Sequence, residues 1–384
     1  MNNTSERLIS LDVFRGITIA GMILVNDPGD WGNVYPALLH AKWNGCTPTD
    51  LIFPFFLFIV GVSITLSLTK RKERGDNQSK LVLQILKRSF LIFFIGLILN
   101  GFPYFNLSTL RIPGVLQRIA VVYLIASLMF LKTNWKTQSI IAVVLLFSYW
   151  AIIALVPVPD FGKPDLSVPV VLVPTTNQFI SPNITGWLDN LLLGGHLWGQ
   201  TKVWDPEGIL STIPAVSTCI FGMLLGEYLR TGSDKTQKTV WIFVFGNTGI
   251  AVGIIWDMFF PLNKNLWTSS YVVYTAGFAL VLFAMCFWFI DVKGYKRWAK
   301  PFVVYGTNAI AVYFLSEIFA ILLYVVQWTN STGQTISLGS FLYQTFFTPF
   351  LSPINASLAW AIVYVMFWCC IMWIFYIKKI FIKV

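Results

Sequence analysis

Apolar runs close to 20 residues long recur down the chain, at 8–26, 51–69, 87–102, 113–131, 138–156, 209–229, 239–259, 271–290, 301–326 and 357–377. A helix of about 20 apolar residues crosses the hydrocarbon core of a bilayer. In lipid every backbone polar group must be satisfied internally, so a spanning segment has almost no other conformation open to it. Ten such runs predict an all-α, polytopic integral membrane bundle of about 10 transmembrane helices. Composition points the same way: 11% of residues are charged, against about 25% in soluble domains.

The net charge of +10 invites the idea of a nucleic-acid partner, and the order of the charges argues against it. With the N-terminus inside, alternate loops collect 20 of the 27 basic residues, from Arg7 through Lys70–Arg88, Lys132 and Lys136, Arg230–Lys238 and Lys293–Lys300 to Lys378–Lys383. That is the positive-inside pattern, and it places both termini in the cytoplasm with the bilayer as the principal partner. The first run carries Asp12 and Arg15 and lacks a small-residue cleavage site, so it is expected to be a retained helix. The five cysteines form no metal-binding spacing, so no metal site is expected. The whole of 1–384 is expected to be a single transmembrane domain.

Two outer segments stand out. The opening loop, 27–50, holds His40, one of only two histidines, together with Trp31, Lys42, Trp43, Asn44 and Asp50. The stretch 157–208 is longer than a connection requires, which usually marks function or disorder; its aromatic and proline content predicts an ordered cap. It ends in Gly194-Gly195-His196 and Trp204-Asp205-Pro206-Glu207-Gly208. Charges inside the spans are costly and need a cavity or a partner. Asp12 and Arg15, three apart on one helical face, are either a structural ion pair or the lining of a cytoplasmic vestibule. Glu317, mid-span in the ninth run with Asn308 and Tyr313 nearby in sequence, is the second such case. Arg118, at the outer end of the fourth span, either meets outer-loop carboxylates such as Asp205 or Glu207 or contacts a ligand.

Leu11-Asp12-Val-Phe14-Arg15-Gly16, His40-Ala-Lys-Trp43-Asn44-Gly45 and Asp50-Leu-Ile-Phe-Pro54 resemble the heparan-α-glucosaminide N-acetyltransferase family. So do Arg111-Ile-Pro-Gly-Val-Leu-Gln117-Arg118, Trp204–Gly208, Pro261-Leu-Asn263-Lys264-Asn265-Leu-Trp267 and Gly306-Thr-Asn308, all in the same order. Lysosomal members carry a luminal domain ahead of the first shared helix. This chain begins at that helix, so it is similar to the shorter bacterial form of an inner (cytoplasmic) membrane. The resemblance implies transfer of the acetyl group of cytoplasmic acetyl-CoA to the amine of a terminal or free glucosamine on the periplasmic side. It also implies a homodimer. The family's catalytic histidine falls on His40, and its asparagine on Asn26.

Acetyl transfer to an amine needs a base with a pKa near the working pH, a donor for the developing oxyanion and a site that holds both reactants. Histidine is the side chain suited to the first role, which makes His40 the candidate base; the alternative is a loop histidine bonded to backbone. Asn26 is the candidate oxyanion donor, and Asp50 is placed to fix the His40 tautomer or hold the ammonium. Trp43, Asn44, Asp50, His196, Asp205, Glu207, Asn263 and Lys264 are the candidate acceptor-binding residues. Asp12, Arg15, Asn308 and Glu317 are the candidates facing acetyl-CoA. Basic loops 70–88 and 293–300 either meet the CoA phosphates or merely set the topology. Whether His40 is transiently acetylated or acts only as base stays open. The rival readings are an amino-sugar permease and an acyltransferase that modifies a cell-envelope polymer.

Overall fold

Each apolar run is mostly helical in the computed structural model, which describes residues 8–159, 161–173, 178–329 and 333–382. Arg7 and Lys383, two of the basic residues used to orient the chain, lie outside these. The helices are α1 (Ile9–Asn26), α2 (Ile52–Glu73), α3 (Gln78–Gly101), α4 (Val115–Lys132), α5 (Trp135–Leu155), α6 (Ile184–Leu193), α7 (Thr212–Leu229), α8 (Lys235–Asp257), α9 (Ser269–Phe287), α10 (Lys300–Thr307), α11 (Ala309–Val325), α12 (Leu338–Phe346) and α13 (Pro353–Ile377). Nine described spans are long and apolar enough to cross a membrane, and the bent pair α10–α11 makes a tenth. The protein is a polytopic helical membrane protein.

Polar caps set several boundaries that hydropathy does not. Asn77 accepts the Ser79 amide at 2.8 Å and starts α3 well before its apolar run, so Lys80, Lys87 and Arg88 are helical. Asn134 caps α5 through the Thr137 amide at 3.0 Å, and Asp234 caps α8 through the Thr236 amide at 2.8 Å. Each cap satisfies a backbone donor that a helix start leaves unpaired.

The run expected as one ninth span, 301–326, is broken. α10 and α11 meet at 83°, with Asn308 between them at φ −128°. The Asn308 side chain, 2% exposed, donates to Ile380 O at 3.0 Å and accepts from Ile382 N at 2.9 Å. A residue committed to the chain's C-terminal segment in this way holds the break open.

Among the described residues of 157–208, β1 (Val171–Val173) pairs antiparallel with β2 (Gln178–Ile180), Val171 opposite Ile180, and α6 follows. After α11 a second hairpin, β3 (Gln327–Thr329) with β4 (Thr335–Ser337), leads into α12.

The chain divides into two compact units. One comprises Met1–His40, Thr47–Ile52 and Met285–Val384; the other comprises Ala41–Cys46 and Phe53–Ala284. In the first, α1 packs on α10, α11 and α13. Gly16 faces the Phe302 carbonyl and Gly306 the Asp12 carbonyl so closely that a methyl there would stand 1.8 and 2.1 Å from the oxygens. In the second unit α2 crosses α7 in the same manner, with 1.9 Å at Gly61 toward Cys219 O and at Gly222 toward Phe58 O. Small residues let helices approach where lipid offers no hydrophobic drive to associate. Serine hydroxyls add to the contact, Ser89 to Ala120 O at 2.9 Å and Ser269 to Leu146 O at 2.7 Å.

Overpacking of this kind costs typically 1–3 kcal/mol, so Gly16→Ala is expected to lower the thermal midpoint in detergent by several degrees. Gly21→Ala, whose methyl would lie 3.6 Å from the Ile52 side chain, is the matched control. Equal midpoints for the two variants would contradict the close crossing.

Candidate active site

His40 stands at the end of a short loop in the first unit, its side chain 49% exposed. Its Nδ1 lies 2.6 Å from Oδ1 of Asp50, whose side chain is 1% exposed. The carboxylate is placed by a capping box. Thr47 caps the 3-10 turn Pro48–Leu51 and donates both its amide (2.9 Å) and its hydroxyl (3.0 Å) to Asp50 Oδ2. An ionised carboxylate can only accept, and toward it Nδ1 is the donor of this contact. Asp50 therefore has the geometry of a tautomer-fixing partner, one of the two roles weighed for it.

At the end of α1, Asn26 Nδ2 donates to Glu317 Oε1 at 2.9 Å, across 291 positions of sequence. Glu317, expected to face acetyl-CoA, thus orients the Asn26 amide. Asp27 follows directly; burial first, and then the charge of Glu317, push its carboxyl well above the usual range. Asp12 and Arg15 form the expected pair at 3.2 Å, and Arg15 also donates to Gly306 O at 3.1 Å. Both this pair and Asn308 therefore make structural contacts within the first unit.

In the second unit the residues expected to bind the acceptor fall into two groups. Trp43, 8% exposed, packs edge-on against Trp204 with ring centres 5.3 Å apart and donates its Nε1 to Leu166 O at 2.9 Å. Asn44 Oδ1 accepts from Asn263 Nδ2 at 3.0 Å, and Gly45 N donates to Leu262 O at 2.7 Å. Asn44 and Gly45 thereby tie their short segment to the 260–268 turn. By contrast Trp31, in the first unit, is 59% exposed.

The second group centres on Arg111. Its Nη2 lies 2.6 Å from both Asp205 Oδ1 and Glu207 Oε2, and its Nε donates to Asp205 Oδ2 at 2.9 Å. Arg118, for which these carboxylates were candidate partners, makes its hydrogen bonds elsewhere: its Nη2 donates to Gly208 O at 3.0 Å and to Ser211 Oγ. The reason is reach: Arg118 already lies inside α4, whereas Arg111 precedes it in the loop. Burial opposes the Arg111 charge, but Asp205 and Glu207 outweigh it and raise its pKa. Burial would likewise raise Glu207; Arg111, Arg118 and Lys264 overcome it and hold the carboxyl low. For Asp205 burial wins over Arg111, and its pKa is raised. His196 Nδ1 bonds Leu110 O at 2.8 Å, stitching the two loops together.

Asp189, absent from the sequence expectations, anchors this cluster from α6. It is fully buried and accepts from Ile209 N at 2.8 Å and Asp205 N at 3.4 Å. Burial pushes its carboxyl up to about 7, against an ordinary value of about 3.9. Between these values the folded state holds a proton that the unfolded state has lost, so stability falls as pH rises through about 4 to 7 and is flat above. The limit is about 4 kcal/mol. Asp189→Asn loses one acceptor at every pH but is expected to gain on the wild type as pH rises from 5 to 8. Thermal midpoints measured across that range check it, and parallel profiles would contradict it.

A family model described as heparan-alpha-glucosaminide N-acetyltransferase, catalytic, matches residues 7–242. The chain belongs to the heparan-alpha-glucosaminide N-acetyltransferase family. Two relatives that bear this name are similar to it, one from Homo sapiens (34% identical over 375 residues) and one from Mus musculus (32% over 362). Each alignment covers 82% of this chain, but only 53% of the human protein and 54% of the mouse protein. The chain thus spans about half the length of the curated relatives it matches. Asn26, His40 with Asp50, and the Arg111 cluster all fall inside the family match. Asn263, Lys264, Asn308 and Glu317 lie beyond it, within the C-terminal part of the chain.

Proposed function

We propose that this protein is a transmembrane N-acetyltransferase that moves the acetyl group of cytoplasmic acetyl-CoA to the amine of a terminal or free glucosamine on the opposite side of a bacterial inner membrane. The observation that carries this is the His40–Asp50 pair, at 2.6 Å, in a chain of this family. The amine nitrogen attacks the thioester carbonyl, forming the C–N bond as the C–S bond breaks. His40 Nε2 takes the proton the amine gives up and passes it to the departing CoA sulfur, so the imidazole returns to its starting state. The buried Asp50 carboxylate stabilises the imidazolium formed on the way. The Asn26 amide, oriented by Glu317, donates to the carbonyl oxygen as it gains charge. Direct attack is the preferred route over an acetyl-histidine, because an oriented general base suffices for it. Trp31 remains on the acceptor side of this scheme, with Asp12 and Arg15 toward CoA. One transmembrane domain, acting as a homodimer, completes the proposal.

The test is to incubate purified protein with labelled acetyl-CoA and glucosamine and detect N-acetylglucosamine by mass spectrometry. Intact glucosamine entering vesicles without acetyl-CoA would favour the permease. Transfer to a cell-envelope polymer but not to glucosamine would redirect the acceptor.

A further inference from the structure

Arg118 is 2% exposed and lies one turn inside spanning helix α4, its guanidinium 5.1 Å from the Trp267 ring centre. Of its donors only Nη2 is hydrogen-bonded among the described residues; Nε and Nη1 are buried with no partner there. The same holds for Nε2 of the adjacent Gln117, which is 4% exposed. Both side chains line a cavity of about 460 Å³ whose remaining wall is largely apolar, including Phe93, Val121, Ile125, Leu145, Ile213 and Val216. Two wall residues, Ile125 and Ile209, are 44% and 41% exposed, so the cavity reaches the outer surface of the second unit at the level of a spanning helix. An arginine at such a depth marks a functional site by default.

The wall specifies its occupant by what it lacks. It offers N–H donors and almost no acceptor: Glu207 is taken by Arg111 at 2.6 Å, and Gly208 O already accepts from Arg118, Ser211 and Thr212. An amine would bring donors that the wall cannot receive. An anion gains little either, because Arg111, Arg118 and Lys264 face Asp189, Asp205 and Glu207. What remains is a neutral acceptor on an apolar body. We propose that the cavity binds an ester-linked acyl lipid of the bilayer. The ester carbonyl accepts from Arg118 and Gln117, and the acyl chain lies along Val121, Ile125 and Leu145. Buried polar groups require partners, and the surrounding solvent here is itself a source of such carbonyls.

The full chain is reconstituted in vesicles of phosphatidylcholine carrying a photoreactive diazirine on one acyl chain, then irradiated and mapped by peptide mass spectrometry. Label is expected to concentrate on 113–125 and 209–216, at least fivefold above the lipid-facing surface of α13 around Met366. Val121→Trp, which fills the cavity, is expected to remove this excess and leave the α13 signal unchanged. An ether-linked analogue with the same diazirine lacks the carbonyl and is expected to label the cavity severalfold less. Gln117→Leu should narrow that ester–ether difference, and it serves as the decisive variant where Val121→Trp fails to fold. Labelling no higher than at α13, or equal for ester and ether lipids, would overturn the proposal and leave the donors to water alone.

Discussion

His40→Ala is expected to lower kcat for acetyl transfer by about 10²–10⁴-fold, the usual contribution of a placed general base, or about 3–5 kcal/mol of barrier. The folded state should hardly notice, because the ring is 49% exposed and half-exposed side chains contribute little packing. Thermal stability within a degree or two of wild type, beside a collapse in turnover, is the expected pair of results. KM for acetyl-CoA should change little, since the ring acts on the amine proton and not on the nucleotide. Raising pH should restore part of the lost rate in the variant, because more of the acceptor amine is then neutral without help from a base. A variant with full turnover would remove His40 from the chemistry.

Asp50→Asn is expected to cost a similar amount in turnover, about 10²–10⁴-fold, for a different reason. The carboxylate accepts from His40 on one oxygen and from the Thr47 amide and hydroxyl on the other. An asparagine has one oxygen to offer. Turned toward Thr47, its NH2 meets His40 Nδ1 and forces the proton onto Nε2, so the ring presents a donor where the amine needs an acceptor. Turned toward His40, the NH2 confronts the Thr47 amide, donor against donor, and the capping box is lost at about 1–2 kcal/mol. The variant should therefore lose both rate and some stability, which separates it from His40→Ala. Kinetics read beside thermal unfolding distinguish the two. Unchanged turnover in Asp50→Asn would mean that the buried carboxylate serves the loop alone.

The membrane architecture was legible because lipid imposes its rule on each span separately, residue by residue. The Asp12–Arg15 pair was legible for the same reason, since a spacing of three sets both on one helical face. Contacts between distant parts of the chain were not. Nothing local to Asn26 announces Glu317, 291 positions away, and nothing local to Asn308 announces the C-terminal backbone that it grips. The break between α10 and α11 followed from that grip, while hydropathy ran on unbroken through it. Which arginine meets Asp205 and Glu207 depended on reach from a loop as against a helix, which spacing does not encode. Trp43 shows the same limit: the edge-on packing of its indole against Trp204, distant in sequence, has no local signal. Asp189 carried no signal, because a lone carboxyl in a short amphipathic helix reads as a solvated face.

Transfer between compartments is what the proposed activity requires, and sided proteoliposomes measure it. Glucosamine is trapped in the lumen, labelled acetyl-CoA is added outside, and protein inserted with its cytoplasmic face outward is isolated by protease protection of the opposite orientation. The expected result is labelled N-acetylglucosamine accumulating in the lumen, dependent on His40, with no label entering as acetyl-CoA. Product formed only when both substrates share one side, or unlabelled glucosamine crossing without any acetylation, would contradict it.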